Sequence, residues 1–418
     1  MNIAFVGPFA LAPKSTMRVR ALPIAQELVR RGHRVTVLLP PWDNPDDSGA
    51  IKEDDGVRIE NLSLPRRIPL VESGLLAARL LSRTLACRAG VVHVFKPKGF
   101  SGVVAQVLLR NFLPSPLRER ARGRTRVLVD TDDWEGAGGW NDRGGYPWWQ
   151  RACFSYQERW LLRHADAVTA ASETLTRMAR ALRHGRRPEP EQTGTLAGPQ
   201  PPGGVVYLPN GPSTFSPCPT PDPALRSRLG LGEGPAVLLL TRFVESPPGR
   251  TASMLAAIPV PYTLLLVGTG LRGEEHTFLR EMHERRVPVV HTGWVEPQDL
   301  PPYLGLADVA VFPMEDSLLN RAKCSVKLVD LLSAGVPVVA EAVGQSREYI
   351  VDGESGVLVP PGDLGAFGSA VAGLLQDPGL RRRLGDGGRA RISGSFSWER
   401  LVDRLENQYT AAIGASVG

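Results

Sequence analysis

Short apolar runs alternate with segments of helical periodicity along most of the chain. Asn2–Val6 is a predicted strand, a helix follows from about Arg18 to Arg31, and Val35–Leu39 is the next strand, which completes a βαβ unit. Helices are also clear around Gly74–Thr84 and Trp149–Arg163. Further strands are predicted at Val91–Phe95, Arg126–Asp130, Ala167–Ala171 and Val205–Leu208, and in the second half at Ala236–Leu240, Tyr262–Val267, Val287–His291, Val309–Phe312, Pro337–Ala340 and Val357–Val359.

This alternation predicts parallel sheets with helices on both faces. The Pro/Gly-rich stretch His184–Gly204 interrupts it and predicts a loop or linker. We therefore predict an α/β protein with two Rossmann-like, doubly wound domains facing across a cleft. The first domain spans residues 1–204 and the second spans residues 205–396, and the terminal helix within 397–418 is expected to pack back on the first domain.

One stretch, Pro313–Ala340, joins a strand, a polar loop, a helix from about Val326 to Ala334 and another strand. Gly335 suits the position that ends this helix. In open α/β sheets ligands bind at the carboxyl ends of the strands, where this loop lies. The loop carries cations beside a helix N-terminus, which favours an anionic ligand.

Composition narrows the class of protein. The 418 residues carry a formal net charge of +6 and a pI of about 9.3, which fits either a soluble enzyme from an arginine-rich proteome or one that meets anionic substrates or an acidic membrane surface. No basic, aromatic-interleaved motif predicts nucleic-acid binding. The four cysteines (Cys87, Cys153, Cys218 and Cys324) are scattered, which argues against a zinc site or a disulfide framework.

The compartment predicted from these features is the cytoplasm. Scattered cysteines suit a reducing setting, the chain begins directly in a strand without a signal peptide, and no apolar run is long enough to span a bilayer. Basic clusters at Leu117–Arg126 and Arg177–Arg187 suggest peripheral contact with the inner face of the membrane. The alternative is that both clusters are solvated surfaces.

A series of short motifs runs along the chain in the order MRVRALPIAQELVRRGHRVTVL, VVHVFKP, HADAVTAAS, LPNGP, LLTRF, LLLVGTG, HTGWV, VAVFP, KLVDLLSAGVPVVA and DGESGVLVPPGD. In the order and spacing of these motifs, nearly the whole chain resembles the GT-B glycosyltransferases, and among them retaining family 4. The resemblance implies transfer of a sugar from a nucleotide-diphosphate sugar to an acceptor hydroxyl with retention at the anomeric carbon. It also implies that no metal and no further cofactor take part.

The chain departs from the family in two places. The family commonly carries Glu-x7-Glu before the glycine that ends the donor helix. Asp330 occupies the second position, but Ala322 stands at the first. The family also often has a histidine in a His-Asp pair where this chain has Asp130-Thr131-Asp132-Asp133-Trp134. Within that run, Asp130-Thr131-Asp132 matches the metal-binding motif D-x-D. We discount this match because it lies in the acceptor half of the chain.

For the donor, the resemblance implies fixed cations on the departing pyrophosphate. Arg242 matches the family's arginine in this catalytic role, and Lys327 is a second candidate. The usual lysine five residues after the arginine is Pro247 here, so Arg250, Lys323 or Lys327 must replace it. The competing interpretation is a surface arginine for Arg242 and a solvated helix face for Lys327.

Other predicted donor contacts are of three kinds. Asp330 should accept hydrogen bonds from a ribose diol, or else be a helix carboxylate without a ligand. The segment Gly293-Trp294-Val295 resembles the backbone that faces the base, and Trp294 either stacks or packs. Gly268 begins a G-x-G-x-x-G turn near the phosphates or a plain packing turn, and Asn320 adds to the charged loop.

For the acceptor we predict contacts from Arg18 and His93, against the alternatives of a solvated helix turn and a buried histidine. Asp132 is predicted to act as a weak general base and Asp133 to bind an acceptor hydroxyl, against strand-end capping. Trp134 belongs to an aromatic loop that packs on a sugar or apolar acceptor, or only on itself. The acceptor class is a sugar, a glycolipid or a small molecule.

Two other functions remain open from the residues. One is a different enzyme on the same fold, a nucleotide-sugar 2-epimerase or a phosphorylase. The other is an inactive nucleotide-binding homologue, which the absent glutamate and lysine would suit.

Overall fold

The computed structural model describes residues 1–65, 72–110, 125–186, 204–213 and 220–414. Most of the predicted linker, Cys218 and much of the basic cluster Leu117–Arg126 lie outside these ranges, as does the last residue of the cluster Arg177–Arg187. Within the described ranges, no helix has both the length and the apolar composition needed to span a membrane.

The chain forms two compact units. Unit 1 contains Met1–Asn210, Ala322–Cys324 and Trp398–Gly418, and unit 2 contains Gly211–Arg321 and Ser325–Ser397. Each unit is built on its own sheet of mostly parallel strands, which confirms the prediction of two parallel-sheet α/β domains.

In unit 1 the described strands form one sheet in the order β3-β4-β2-β1-β5-β6-β7-β8. They are β1 Asn2–Val6, β2 Arg34–Leu39, β3 Ile51–Asp54, β4 Val57–Asn61, β5 Val91–Phe95, β6 Arg126–Thr131, β7 Ala167–Ala170 and β8 Val205–Tyr207. The helices are Leu22–Arg30, Glu72–Ala86, Gly99–Arg110, Trp140–Arg143, Trp148–His164, Glu173–Arg183 and Trp398–Gly414, with a π-helical turn at Met17–Ala21 and a 3-10 turn at Pro45–Asp47.

Two features of this sheet differ from the predicted one. The strand Val205–Tyr207, which we expected to open the second domain, pairs with β7 in the first sheet. The strands β3 and β4 form an antiparallel hairpin that we did not predict. Asp55 and Gly56 connect them with positive φ angles of 44° and 77°, which is the conformation that an Asp-Gly hairpin turn favours.

The terminal helix Trp398–Gly414 belongs to unit 1. Its apolar residues, among them Leu401, Leu405 and Tyr409, pack in one cluster with the helix Leu22–Arg30 and the strands β1, β2 and β5. On its polar side Arg31 donates to Asp403 at 2.6 Å and to Glu406 at 3.0 Å. The periodic apolar stripe of this helix therefore covers one face of the first sheet.

In unit 2 the described strands follow the order β11-β10-β9-β12-β13-β14, and all neighbours are parallel. They are β9 Ala236–Leu240, β10 Thr263–Val267, β11 Val289–His291, β12 Val309–Phe312, β13 Val338–Glu341 and β14 Val357–Val359. The helices are Pro223–Arg228, Pro248–Ala256, Glu274–Glu284, Pro301–Leu304, Leu318–Ala322, Val326–Ser333, Ser346–Tyr349, Leu364–Gln376 and Pro378–Ser395, with a 3-10 turn at Pro297–Asp299.

These strands are mostly apolar because helices cover both faces of a parallel sheet. Val237, Leu239, Leu264 and Val311 are each at most 1% exposed, within one hydrophobic cluster that also includes the helix residue Phe367. The polar residues of these strands stand at strand ends: Thr263 begins β10, His291 ends β11 and Glu341 ends β13. The predicted donor residues lie in the loops and helices that follow β9, β10, β11 and β12.

Candidate active site

Arg242 lies two residues beyond the end of β9, in the loop where we predicted a pyrophosphate contact. Its side chain is exposed, and its guanidinium carbon lies 5.2 Å from the ring centroid of Trp294. Trp294 is 50% exposed and donates its indole N–H to Glu296 at 2.8 Å, and the half-buried Val295 follows it. The loops after β9 and β11 thus present a cation stacked on an aromatic ring.

Lys327 lies on the first turn of the helix Val326–Ser333 and is held by Glu245. Its Nζ donates to Glu245 Oε2 at 2.8 Å, and the two side chains are 24% and 5% exposed. Glu245 comes from the loop after β9, so the pair ties that loop to the helix. A lysine ammonium has three donors, so Lys327 can keep this bond and still donate to a phosphate oxygen.

Arg250, the other predicted substitute for the missing lysine, is also paired with a buried carboxylate. It contacts Glu341, which is fully buried at the end of β13, and donates to Ser246 Oγ at 3.1 Å. Glu341 further accepts the backbone N–H groups of Met314 at 2.7 Å and Gly362 at 2.6 Å. Arg250 therefore neutralises an internal carboxylate that organises three loops.

Asn320 is 2% exposed, and its amide nitrogen donates to the carbonyl oxygens of Glu245 at 2.7 Å and Glu315 at 2.8 Å. It therefore braces the loop after β12 against the loop after β9. Lys323, predicted to bind the donor, belongs with Ala322–Cys324 to unit 1. Its Nζ lies 5.8 Å from the ring centroid of Trp140. Lys323 therefore lies near an aromatic residue of unit 1, whereas we predicted that it binds the donor.

Asp330 is 8% exposed and shares a helix face with Lys327, three residues earlier. Its Oδ1 accepts the backbone N–H of Ser213 at 2.8 Å. This contact anchors the start of unit 2 on the helix.

The glycine-rich turn after β10 is shaped by close backbone approach. Gly268 has a φ of +111°, and a Cβ there would lie 2.2 Å from the carbonyl oxygen of Thr241. Its N–H donates to the carbonyl of Gly293 at 2.9 Å, so the turn connects the loops after β9 and β11. The N–H groups of Gly270 and Arg272 are already taken by Glu275 at 2.7 Å and Glu274 at 2.6 Å.

Because these two carboxylates fill the start of the helix Glu274–Glu284, that helix does not offer a phosphate cradle in this state. The packing interpretation of the glycine turn fits the structure better than the phosphate-binding one. Gly268 therefore supports the site by permitting the close contact with Thr241.

In unit 1 the predicted acceptor carboxylates surround a lysine that we did not predict. Lys96, the residue after β5, is 6% exposed, and its Nζ lies 2.9 Å from Asp132 Oδ1, 2.8 Å from Asp133 Oδ2 and 3.5 Å from Glu135 Oε1. Lys98 Nζ donates to the other oxygen of Glu135 at 2.5 Å. We call these five residues the lysine–carboxylate cluster.

The pKa values of the two aspartates in the cluster are shifted in opposite directions. Burial raises the pKa of Asp132, and the nearby charges of Asp133 and Asp130 add to that rise against the pull of Lys96. The pKa of Asp133 is lowered, because the charge and hydrogen bond of Lys96, together with Lys323, outweigh its burial. Asp132 is therefore the better proton acceptor of the two, as a weak general base requires.

The D-x-D match does not form a pair of free carboxylates. Both oxygens of Asp130 are bonded by Arg20, at 2.8 and 2.6 Å, and Thr169 donates to one of them at 2.5 Å. Arg20 is 1% exposed and also donates to Asn210 at 3.0 Å. Arg20 is therefore a buried structural residue, while Arg18, the predicted acceptor contact, is half-buried on the π-helical turn.

His93 is fully buried, which contradicts the expectation of an acceptor contact. Its Nδ1 lies 2.7 Å from the Tyr409 hydroxyl and its Nε2 lies 3.0 Å from Thr169 Oγ1, so both ring nitrogens are satisfied inside unit 1. Burial, with the nearby charge of Arg20, lowers its pKa to about 4. A strand in the middle of a covered sheet leaves no surface for this residue.

Trp134 does not present its ring to an acceptor either. It is 3% exposed, and its indole N–H donates to the carbonyl of Ala137 at 2.9 Å within the same loop. A Cβ at Gly136 or Gly139 would lie within 2.8 Å of this indole or its backbone, so the loop closes on the tryptophan. The self-packed interpretation is therefore correct for Trp134.

Sequence reasoning missed three charged residues that form ion pairs with predicted site residues. Lys96 and Glu341 each stand at the end of an apolar strand, and Glu245 lies in the loop after β9. A charged residue directly after an apolar strand was the available signal for the first two. Nothing in the local sequence identifies Glu245 as the partner of Lys327, 82 positions away.

Two family descriptions match the chain. Residues 15–193 match "Glycosyl transferase 4-like domain", and residues 251–377 match "Glycosyl transferases group 1". Among similar proteins, the GDP-mannose-dependent alpha-(1-6)-phosphatidylinositol monomannoside mannosyltransferase of Mycobacterium tuberculosis is 30% identical over 392 residues, covering 90% of this chain and 89% of that protein. The protein of the same name from Mycolicibacterium smegmatis is 28% identical over 396 residues, covering 91% and 90%.

Solved structures show the same fold. Sucrose-phosphate synthase from Thermosynechococcus elongatus superposes with a TM-score of 0.70 at 22% identity, covering 99% of each chain. HepE of Anabaena, solved with UDP and glucose, superposes with a TM-score of 0.65 at 17% identity, covering 98% of this chain and 99% of that one.

The chain is therefore a GT-B glycosyltransferase, as the fold and the order of motifs predicted. It belongs to the group 1 glycosyltransferases of the family 4 type, which transfer sugars from nucleotide-sugar donors. The comparisons do not favour the epimerase, the phosphorylase or the inactive homologue.

Proposed function

We propose that this glycosyltransferase acts with retention at the anomeric carbon and without a metal, and that unit 2 binds the nucleotide sugar. The observation that carries the proposal is the set of cations around the loop after β9. Arg242 is exposed on Trp294, and Lys327 is fixed by Glu245 at 2.8 Å. Fixed cations of this kind stabilise the charge that develops on a departing diphosphate.

The division of roles follows from the contacts. Arg242 and Lys327 take the pyrophosphate, and Asp330 takes the ribose once a ligand competes for its carboxylate. Arg250, bound to the buried Glu341, holds in place the loops that Glu341 connects. The loop Gly293–Val295 lies under the base, with Trp294 as its exposed aromatic surface.

Unit 1 supplies the acceptor side in this proposal. Asp132, with its raised pKa, accepts the proton of the attacking hydroxyl, assisted by an oxygen of the departing phosphate. Asp133, kept ionised by Lys96, accepts a hydrogen bond from a second hydroxyl. The acceptor is a sugar or a glycolipid, and the glycolipid in the names of the relatives supports testing phosphatidylinositol monomannoside first.

The decisive assay measures release of nucleoside diphosphate with and without acceptor. GDP-mannose is the first donor to test, because two relatives are named for it, and UDP-glucose is the comparison. We expect acceptor-dependent release, an unchanged rate in EDTA, and an α-linked product from the α-linked donor by NMR. A β-linked product or an isomerised donor without transfer would overturn the proposal, and activity that EDTA abolishes would refute metal independence.

A further inference from the structure

The helix Trp148–His164 of unit 1 has one face that carries unusual exposed aromatic residues. Trp148 is 74% exposed, Trp149 is 58% exposed and Tyr156 is 52% exposed. Large aromatic side chains normally bury most of their surface in a soluble protein. Three of them exposed on one helix therefore require an explanation.

The spacing of these residues defines a continuous surface. Positions 148, 152, 156, 159 and 163 recur every three or four residues and so lie along one side of the helix, with 149, 153 and 160 beside them. The opposite side packs into unit 1. It carries the buried residues Gln157, Glu158, Leu161 and Leu162.

The charges on the outer side have a single sign. Arg159 and Arg163 are exposed there, and the acid of the helix, Glu158, is buried on the inner side. Arg110, from the neighbouring helix, adds a third cation. Its guanidinium lies 4.3 Å from the ring centroid of Trp160 and contacts the Tyr156 hydroxyl.

We propose that this outer face, formed by Trp148, Trp149, Tyr156, Arg159, Arg163 and Arg110, docks unit 1 on an anionic lipid bilayer. Tryptophan and tyrosine favour the headgroup region because their rings are apolar and their N–H or O–H groups remain hydrated. Arginines extend apolar stems and place their charge among lipid phosphates. A helix with aromatic residues and cations on one side and none of its acids there is suited to lie in the plane of the interface.

This face differs from the basic clusters that the sequence suggested, and it does not depend on which acceptor the enzyme uses. The occupant is argued from charge complementarity: the face offers cations and aromatic rings together, and an anionic bilayer offers phosphates above an apolar layer. A nucleic acid would meet the same cations but has no apolar layer for Trp148 and Trp149 to enter.

The test is flotation of the full chain with vesicles of phosphatidylcholine containing anionic phosphatidylglycerol, compared with phosphatidylcholine alone. We expect binding to the anionic vesicles that falls with salt. Trp148→Ser with Trp149→Ser should weaken it by about tenfold or more. Arg159→Gln with Arg163→Gln should weaken it by about fivefold for each arginine removed.

Matched controls lie elsewhere on the chain. Ile51→Ser removes an apolar side chain that is 58% exposed, and Arg382→Gln with Arg383→Gln removes two exposed cations from unit 2. Both controls should bind as the wild type does. Brominated lipids should quench tryptophan emission in the wild type and much less in the Trp148→Ser, Trp149→Ser variant, which reports contact directly.

Equal binding to neutral and anionic vesicles, or equal losses in the controls, would overturn the proposal. A concentration-dependent dimer that disappears in the Trp148→Ser, Trp149→Ser variant, without vesicle binding, would show that a second copy covers the face instead. Thermal melting of each variant distinguishes loss of docking from loss of folding, because these side chains are exposed and the melting temperature should not change.

Discussion

Lys327 has two separable roles, because the residue proposed to hold the diphosphate also neutralises a buried carboxylate. Lys327→Met removes the charge and keeps most of the aliphatic stem. Glu245, which is 4% exposed, then loses the charge and the hydrogen bond of the Lys327 ammonium. Removing one member of a buried pair costs about 3–5 kcal/mol. Since the Lys327 side chain is 24% exposed and water can enter, we expect a loss of about 2 kcal/mol from the stability of unit 2.

Catalysis should fall by a different mechanism. Losing one fixed donor to a developing charge typically lowers kcat by about a hundredfold to a thousandfold. The double variant Glu245→Gln, Lys327→Met removes both charges of the pair together, so no buried carboxylate remains at position 245. We expect it to regain most of the stability while kcat stays as low as in Lys327→Met. Glu245→Gln alone should retain the lysine without its fixed position and lose about tenfold in kcat.

The assay pairs chemical denaturation with initial rates of nucleoside diphosphate release. Arg381→Met is the matched control, because Arg381 pairs with Asp308 at 3.4 Å beside the amino end of β12, and its loss should affect stability with little effect on kcat. If the double variant regains activity together with stability, Lys327 acts only as a structural partner of Glu245. An unchanged kcat in Lys327→Met would refute the proposed role outright.

Three further changes test other parts of the structure. Arg242→Ala should lower kcat by about a hundredfold with an unchanged melting temperature, because the side chain is exposed; equal losses in Trp294→Ala and Arg242→Ala would instead indicate that stacking matters more than charge. Gly268→Ala should destabilise unit 2 by about 3 kcal/mol, since φ is +111° and the new Cβ would meet the Thr241 carbonyl at 2.2 Å; a variant that melts as the wild type does would contradict this. Burial, with the charge of Glu135, raises the pKa of Glu158 to about 8, above its unfolded value of about 4.5, so its contribution to stability is complete below pH 4.5 and is lost as the pH rises through 8. Melting temperatures from pH 5 to 8.5 should therefore fall less steeply in Glu158→Gln, and parallel curves would refute the assignment.

Most of the strands were predictable from the sequence because their physical cause is local. A parallel strand covered on both faces is apolar throughout, so Asn2–Val6, Val91–Phe95, Ala236–Leu240 and Val309–Phe312 have the predicted bounds. The unpredicted strand Ile51–Asp54 is exposed along its length and pairs on one side only. Such an edge strand lacks the apolar run that identifies the others, although its Asp-Gly turn was visible.

The family was also determined by the sequence, since the motifs occur in order and their spacing follows the alternation of strands and helices. That order places Arg242 in the loop after β9 and Asp330 on the helix Val326–Ser333, where we predicted donor contacts. Their proximity to a site follows from topology, because parallel strands bring their carboxyl ends to one edge of the sheet.

Only the tertiary structure decides which charged groups and aromatic rings are exposed to a ligand. The local sequence does not show whether His93 and Trp134 are buried. The core around Tyr409 buries His93, and the loop that closes at Ala137 buries Trp134. Glu245 and Lys327 are 82 positions apart, and their pairing depends on how the loop after β9 meets a helix that starts after β12. Hydrophobic periodicity is a property of neighbouring residues, whereas ion pairing and burial are set by contacts between distant residues. The proposed chemistry of this enzyme depends on these distant contacts.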